Sequence, residues 1–135
     1  MKIIIWLDVA TAAAFGVFVI SRGGAGAHYY FGSALGITGI ALWILARVQL
    51  GKSFSVRAEA RALVTTGLYS KIRHPIYFFG GLGYLGFLVA WGKPILALGF
   101  LATYVIQFLR IRKEEAVLEQ AFGEEYRRYR AGTWF

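Results

Sequence analysis

The chain contains no cysteine, which excludes disulfides, a thiolate nucleophile and cysteine-based metal sites. Only two histidines occur, His28 and His74. They are too few for a histidine-rich metal centre, and no metal is expected. Charge is scarce too: 16% of the 135 residues are charged and seven are acidic, against 58% apolar and 17% aromatic. A globular domain of this length cannot hide so much apolar surface in one core. The alternative solvent is lipid.

Four apolar stretches are present, Ile3–Ile20, Phe31–Leu50, Ile76–Trp91 and Pro94–Leu109. The first two approach the ~20 residues needed to cross a bilayer, and the third gains a turn from the residues before it. The expectation is an all-α integral membrane protein, a single domain over 1–135 with spans at about 3–20, 31–50, 74–91 and 94–110. The Gly92-Lys93 linker makes the last two spans a tight antiparallel hairpin. The first stretch is too long for a signal-peptide core and lacks a convincing small-residue cleavage site, so it reads as a retained span.

What charge there is sorts by side. Lys2, the 52–73 segment and the tail from Arg110 hold twelve of the fifteen basic residues, while the opposite loops hold only Arg22 and Lys93. The positive-inside rule then puts both termini and the 51–75 loop in the cytoplasm. Basic residues that flank apolar spans, and form no stripe on a polar domain, argue against a nucleic-acid partner. Orientation and contact with lipid headgroups account for most of them.

Glycines at spacings of three and four, Gly32, Gly36 and Gly39 on span two and Gly80, Gly83 and Gly86 on span three, line one face of each helix. Such faces let backbones approach closely in lipid. Residues 81–86, GLGYLG, match a dinucleotide-binding pattern formally, but they lie inside an apolar span with no strand before them, so the match is rejected. After Leu109, the residues Ile111, Leu118, Phe122, Tyr126 and Tyr129 form one helical stripe among Glu and Arg. This predicts a cytoplasmic amphipathic helix over 111–131.

Two polar segments meet the membrane on the cytoplasmic side. One is the 51–75 loop, long for a connection and ending in Arg73-His74-Pro75-Ile76-Tyr77; loops of this length are often functional. Pro75 suits the first position of a helix, which tolerates a missing N–H, and His74 stands at the helix start beside Arg73. The other segment begins at Arg110. Arg110 and Glu114 share a helix face at i,i+4 spacing, and a partly desolvated arginine at the membrane boundary needs a partner. An arginine fork also suits a carboxylate ligand, whereas a carboxylate suits ribose hydroxyls, an ammonium or a sulfonium.

The ordered elements RALVTTGLYSKIRHPIY (61–77), EEAVL (114–118) and FGEEYRRY (122–129) resemble the isoprenylcysteine carboxyl methyltransferase family and the related phospholipid methyltransferases. The resemblance covers about residues 51–130. It implies a membrane enzyme whose S-adenosylmethionine is enclosed between the loop before His-Pro and the C-terminal helix. Carried over residue by residue, it implies that Arg61, Ala62, Leu63 and Val64 line the cofactor, partly through backbone. Tyr69, His74, Pro75, Ile76 and Tyr77 would contact it, and Glu114 would be its acidic anchor. Arg110 is similar to the residue that faces the substrate carboxylate, so Arg110 and Glu114 form the expected catalytic pair. The sequence departs from the family at Phe79, where glycine is frequent, and at Arg61, where relatives carry histidine.

The expected activity is methyl transfer to the carboxylate of a lipid-like or isoprenylcysteine-type acceptor, with membrane lipids around the protein. A carboxylate is already a nucleophile at neutral pH and needs no base. The alternatives are a phospholipid or amine N-methyltransferase, with Glu114 or Glu115 as base, and a non-catalytic four-span scaffold of the same family. A membrane reductase using a nicotinamide cofactor lacks an obvious ribose-phosphate cluster.

Overall fold

The computed structural model describes residues 2–51, 63–93 and 95–134. Over these the chain is helical: α1 (Lys2–Ser21), α2 (Ala27–Leu50), a 3-10 turn (Gly67–Ser70), α3 (Pro75–Trp91) and α4 (Leu96–Ala131). Among the described residues, α2 alone is both long and apolar enough to cross a membrane by length and composition; Trp6–Ser21 and Pro75–Trp91 are shorter apolar helices.

Helix α3 starts where the sequence expects, with Pro75 in the first turn and His74 as the N-cap residue. His74 therefore stands just ahead of the helix rather than inside span 74–91. The helix ends at Gly92, whose φ of 66° is left-handed and whose N–H bonds the carbonyls of Leu88 and Val89. This is the cap that glycine adopts without steric cost, and it turns the chain into the α3–α4 hairpin.

One expectation is corrected. The amphipathic segment over 111–131 is not a separate helix after span four, because α4 runs unbroken from Leu96 through Arg110 and departs from helical backbone only at Gly123 (φ 48°, ψ −118°). The change from apolar to charged side chains at Arg110 alters the solvent a helix prefers. It does not interrupt the backbone hydrogen bonds, which every residue there can make. The stripe itself is as expected: Ile111, Leu118, Phe122 and Tyr129 are half-buried and Tyr126 is buried.

The bundle is built on an antiparallel α2–α3 contact. A Cβ at Gly86 would lie 2.3 Å from the backbone N of Gly36, and one at Gly39 would lie 2.4 Å from the N of Gly83. Nothing larger than hydrogen fits between these backbones, as the glycine spacing predicted. Around this seam Val9, Ala12 and Val19 of α1 pack with Ile40 and Trp43 of α2 and with Phe79, Phe87 and Ala90 of α3. Helices α1 and α4 both lean on α3, without packing broadly on each other. Gln49 at the end of α2 accepts a hydrogen bond from the Leu68 N–H at 2.8 Å and so fixes the 3-10 turn.

Gly86→Val should therefore lower the detergent-solubilised melting temperature sharply, by the equivalent of about 1–3 kcal/mol or more of overpacking. Gly99→Ala, at an exposed position with nothing within 4 Å, should be neutral or gain up to about 1 kcal/mol in helix propensity. Equal effects of the two substitutions in thermal melts would contradict the backbone seam.

Candidate active site

Two consecutive carboxylates organise the site. Successive residues on a helix diverge by about 100°, so Glu114 and Glu115 reach different partners from one turn of α4. Glu114 accepts hydrogen bonds from the Tyr77 hydroxyl and from Arg110 Nε, the latter at 3.2 Å. Glu115 bonds Arg73 Nε and His74 Nε2, both at 3.3 Å. The start of α3 is thus clasped to the middle of α4 by two charge-assisted pairs, the stronger class of protein hydrogen bond. The Arg110 guanidinium also lies 5.8 Å from the Tyr77 ring centroid, within cation–π range.

A second clasp forms beyond the break at Gly123. The Tyr129 hydroxyl donates to the Tyr69 carbonyl at 2.7 Å, the Trp134 N–H to the Lys71 carbonyl at 2.8 Å, and Arg73 to Thr133 Oγ1 at 3.0 Å. Residues 69–77 are therefore held between α3, the body of α4 and its C-terminal turn. Gly67 sets the entry to this segment: its φ is 61°, and a Cβ there would strike the Gln49 amide at 2.5 Å.

The expected site residues divide accordingly. Tyr69, His74, Pro75, Ile76, Tyr77, Arg110 and Glu114 fall in one region, around the start of α3 and the facing part of α4. Leu63 and Val64 are half-buried in the stretch leading to the 3-10 turn. Arg61 and Ala62 lie outside the described residues. Sequence reasoning missed the pairing of Glu115 with Arg73 and His74. It also read Tyr126 and Tyr129 only as an apolar stripe. The signal at hand was their hydroxyls, which a purely apolar face would not carry.

Electrostatics follow from burial. The Tyr69 ring is 6% exposed and its hydroxyl is buried with no hydrogen-bond partner among the described residues. Burial, reinforced by Tyr129 and Glu114, pushes its pKa up, so it is neutral. Burial also lowers His74 below its ordinary 6.5, only partly offset by Glu115. At neutral pH His74 is uncharged, and its bond to Glu115 requires the Nε2–H tautomer. Burial works to raise the Glu115 pKa, but the His74 hydrogen bond and the charges of His74, Arg73 and Arg130 outweigh it, and the net shift is downward. With His74 neutral, the lasting counter-charges on Glu115 are Arg73 and, at longer range, Arg130.

A cavity of about 120 Å³ adjoins the clasp, bounded by residues of all four helices, among them Asp8, Trp43, Arg47, Tyr77, Tyr104 and Arg110. Tyr77 and Arg110 are shared between the two. An arrangement with an anionic anchor, an arginine fork and an adjoining cavity of mixed polar and apolar lining can hold a cationic ligand beside an anionic one.

The phospholipid methyltransferase family model matches residues 27–125, most of the chain. The chain belongs to this family. Among relatives, a protein-S-isoprenylcysteine O-methyltransferase of Schizosaccharomyces pombe is 34% identical over 116 residues, covering 75% of this chain and 46% of the relative. Protein-S-isoprenylcysteine O-methyltransferase B of Arabidopsis thaliana is 37% identical over 106 residues, 73% of this chain and 53% of the relative. Methanethiol S-methyltransferase 1 of Bradyrhizobium diazoefficiens is 41% identical over 68 residues, 47% of this chain and 21% of the relative. This phospholipid methyltransferase family member thus spans about half the length, or less, of these curated relatives. No solved structure matches it.

Both lowered pKa values give the same sign of pH dependence. A folded-state pKa below the unfolded one stabilises the fold above the unfolded value and loses that stability as pH falls. Melting temperature in detergent should be level just above pH 7, fall as pH drops below about 6.5 through His74, and fall again below about 4.5 through Glu115. His74→Gln should remove the first fall and keep the second. A wild-type melting temperature that rises between pH 7 and 5.5 would contradict the assignment.

Proposed function

We propose that this chain is a multi-pass membrane methyltransferase that uses S-adenosylmethionine and methylates the carboxylate of a lipophilic acceptor of the isoprenylcysteine type. The observation that carries the reading is Glu114, held by Tyr77 and Arg110 where the clasp meets the cavity. The relatives' names, protein-S-isoprenylcysteine O-methyltransferase foremost, support the reaction class.

The proposed topology has four spans with both termini and the 51–75 loop cytoplasmic. Its support is the basic bias of the sequence and the outward apolar side chains. Leu7, Val17, Phe31, Leu98, Leu101 and Ile106 are all exposed on the helices, a pattern suited to lipid. Helix α1 with its 20 residues would reach about 30 Å at 1.5 Å per residue.

The residues present fit the cofactor chemically. Glu114 is an anion beside the Tyr77 ring, suited to a sulfonium or an ammonium, and the Tyr69 hydroxyl, without a hydrogen-bond partner among the described residues, is a donor able to meet an acceptor. Tyr69, His74, Pro75, Ile76, Tyr77 and Glu114 would hold the cofactor, with Arg61, Ala62, Leu63 and Val64 completing its enclosure. When bound, S-adenosylmethionine supplies an electrophilic methyl group on a positively charged sulfur.

The chain's own part is positioning. Arg110 would orient the acceptor carboxylate, whose oxygen forms the new C–O bond as the C–S bond breaks, with the electron pair left on sulfur. No proton moves. Burial of the clasp would exclude water, and holding the reacting atoms near 3 Å is worth several kcal/mol of the barrier, about 7 or more in well-oriented systems. An amine acceptor would need a base. The relatives' names, protein-S-isoprenylcysteine O-methyltransferase, favour the carboxylate acceptor over the amine.

Purified protein titrated with S-adenosylhomocysteine should bind it, with Kd raised about tenfold or more in Glu114→Gln through loss of a charged anchor and measurably in His74→Ala. Methyl transfer should be seen with prenylated cysteine in preference to fatty acid or amino-lipid. Absence of binding by wild type would overturn the methyltransferase reading. Binding without transfer to any acceptor would support the non-catalytic scaffold.

A further inference from the structure

The first two helices contribute more than anchorage. Arg47, near the end of α2, is buried at 3% exposure. It is ion-paired with Asp8 of α1 and flanked by the rings of Trp6 and Trp43 at 5.7 and 5.3 Å. Burying a guanidinium is costly unless it is paired, and here an anion and two ring faces compensate it. Asp8 is different: half of its side-chain surface remains exposed, and it lines the same cavity as Arg110 and Tyr77.

That cavity carries charge of both signs, Asp8 paired with Arg47 at one place and Arg110 at another, with Thr103, Tyr104 and Gln107 also in its wall. Arg110 presents donors to an anion, whereas Asp8 presents a carboxylate that can only accept hydrogen bonds. The packing also leaves the flanks of α4 open, because α4 leans on α3 without packing broadly on α1 or α2. About 120 Å³ accommodates several waters, or a small polar head group, but not a long hydrocarbon chain as well. A chain attached to that head group has to leave sideways along α4, on the flank facing α1 or the flank facing α2.

We propose that the cavity is the acceptor's head-group site and that the Asp8–Arg47 pair is its specificity device. This rests on the carboxyl-methyltransferase reading above. Arg110 faces the carboxylate to be methylated, and Asp8 accepts a hydrogen bond from an N–H or O–H carried on the neighbouring carbon. Arg47 is a positioning residue that holds the Asp8 carboxylate in place. The favoured acceptors are lipophilic α-amido or α-hydroxy carboxylates, over plain fatty acids.

Two acceptors test this, an S-prenyl cysteine with an N-acyl group and the matching S-prenyl thiopropanoic acid that lacks nitrogen. The wild type should methylate both, with the lower KM for the amide. Asp8→Ala should raise the amide's KM about tenfold, the cost of one charge-assisted hydrogen bond. The KM of the nitrogen-free acceptor and the Kd of S-adenosylhomocysteine should both stay within about twofold, a factor worth only ~0.4 kcal/mol. Asp8→Asn keeps an oxygen for Arg47 and should move the same KM in the same direction by less, so it decides the matter if the alanine variant fails to fold. KM values that rise together for both acceptors, or do not move, would overturn the proposal. Wild-type binding of S-adenosylhomocysteine with turnover of neither acceptor would instead overturn the carboxyl-methyltransferase reading, and this proposal with it.

Discussion

The contact of α2 and α3 backbones at Gly36–Gly86 and Gly39–Gly83 is the constraint on which the remaining geometry rests. On the proposed reading lipid surrounds the bundle, and apolar side chains gain little by leaving lipid for one another. Close backbone packing has to supply the cohesion. Because the two helices meet this tightly, the His74 end of α3 is set beside the Gln49 end of α2. Gln49 then orders the turn that carries Tyr69. The candidate site at one end of the bundle thus depends on residues with no side chain in its middle.

From that platform the site is assembled by electrostatics rather than by packing. Helix α4 stands outside the buried core cluster and is joined to α3 at the site through Glu114, Glu115, Arg73, His74, Tyr77 and Arg110. Ion pairs in fully exposed positions contribute little, but these are partly shielded, with side chains of Arg73, His74 and Glu115 at 18, 14 and 16% exposure. Beyond Gly123 the buried Tyr126 and the Tyr129–Tyr69 bond fasten the same helix a second time.

Local features were legible in the sequence, and long-range ones were not. The glycine faces, the proline at the start of α3 and the Arg110–Glu114 spacing each follow from a rule about one helix, and the structure has all three. The bond of Tyr129 to Tyr69 crosses 60 residues and that of Asp8 to Arg47 crosses 39, so no periodicity could pair them. Asp8 passed unnoticed inside an apolar stretch, although a lone carboxylate there has to find a cation. The break in α4 was misplaced because polarity changes at Arg110, whereas backbone freedom changes at Gly123. The first is easier to read from composition, but only the second can end a helix.

The central claim is that Tyr77 and Glu114 act as one unit that anchors the cofactor. A double-mutant cycle on Tyr77→Phe and Glu114→Gln, read out as the Kd of S-adenosylhomocysteine, tests it most directly. The account predicts strong coupling of about 1 kcal/mol or more, roughly fivefold in Kd, with the double variant binding little worse than Glu114→Gln alone. Fully additive losses would contradict it.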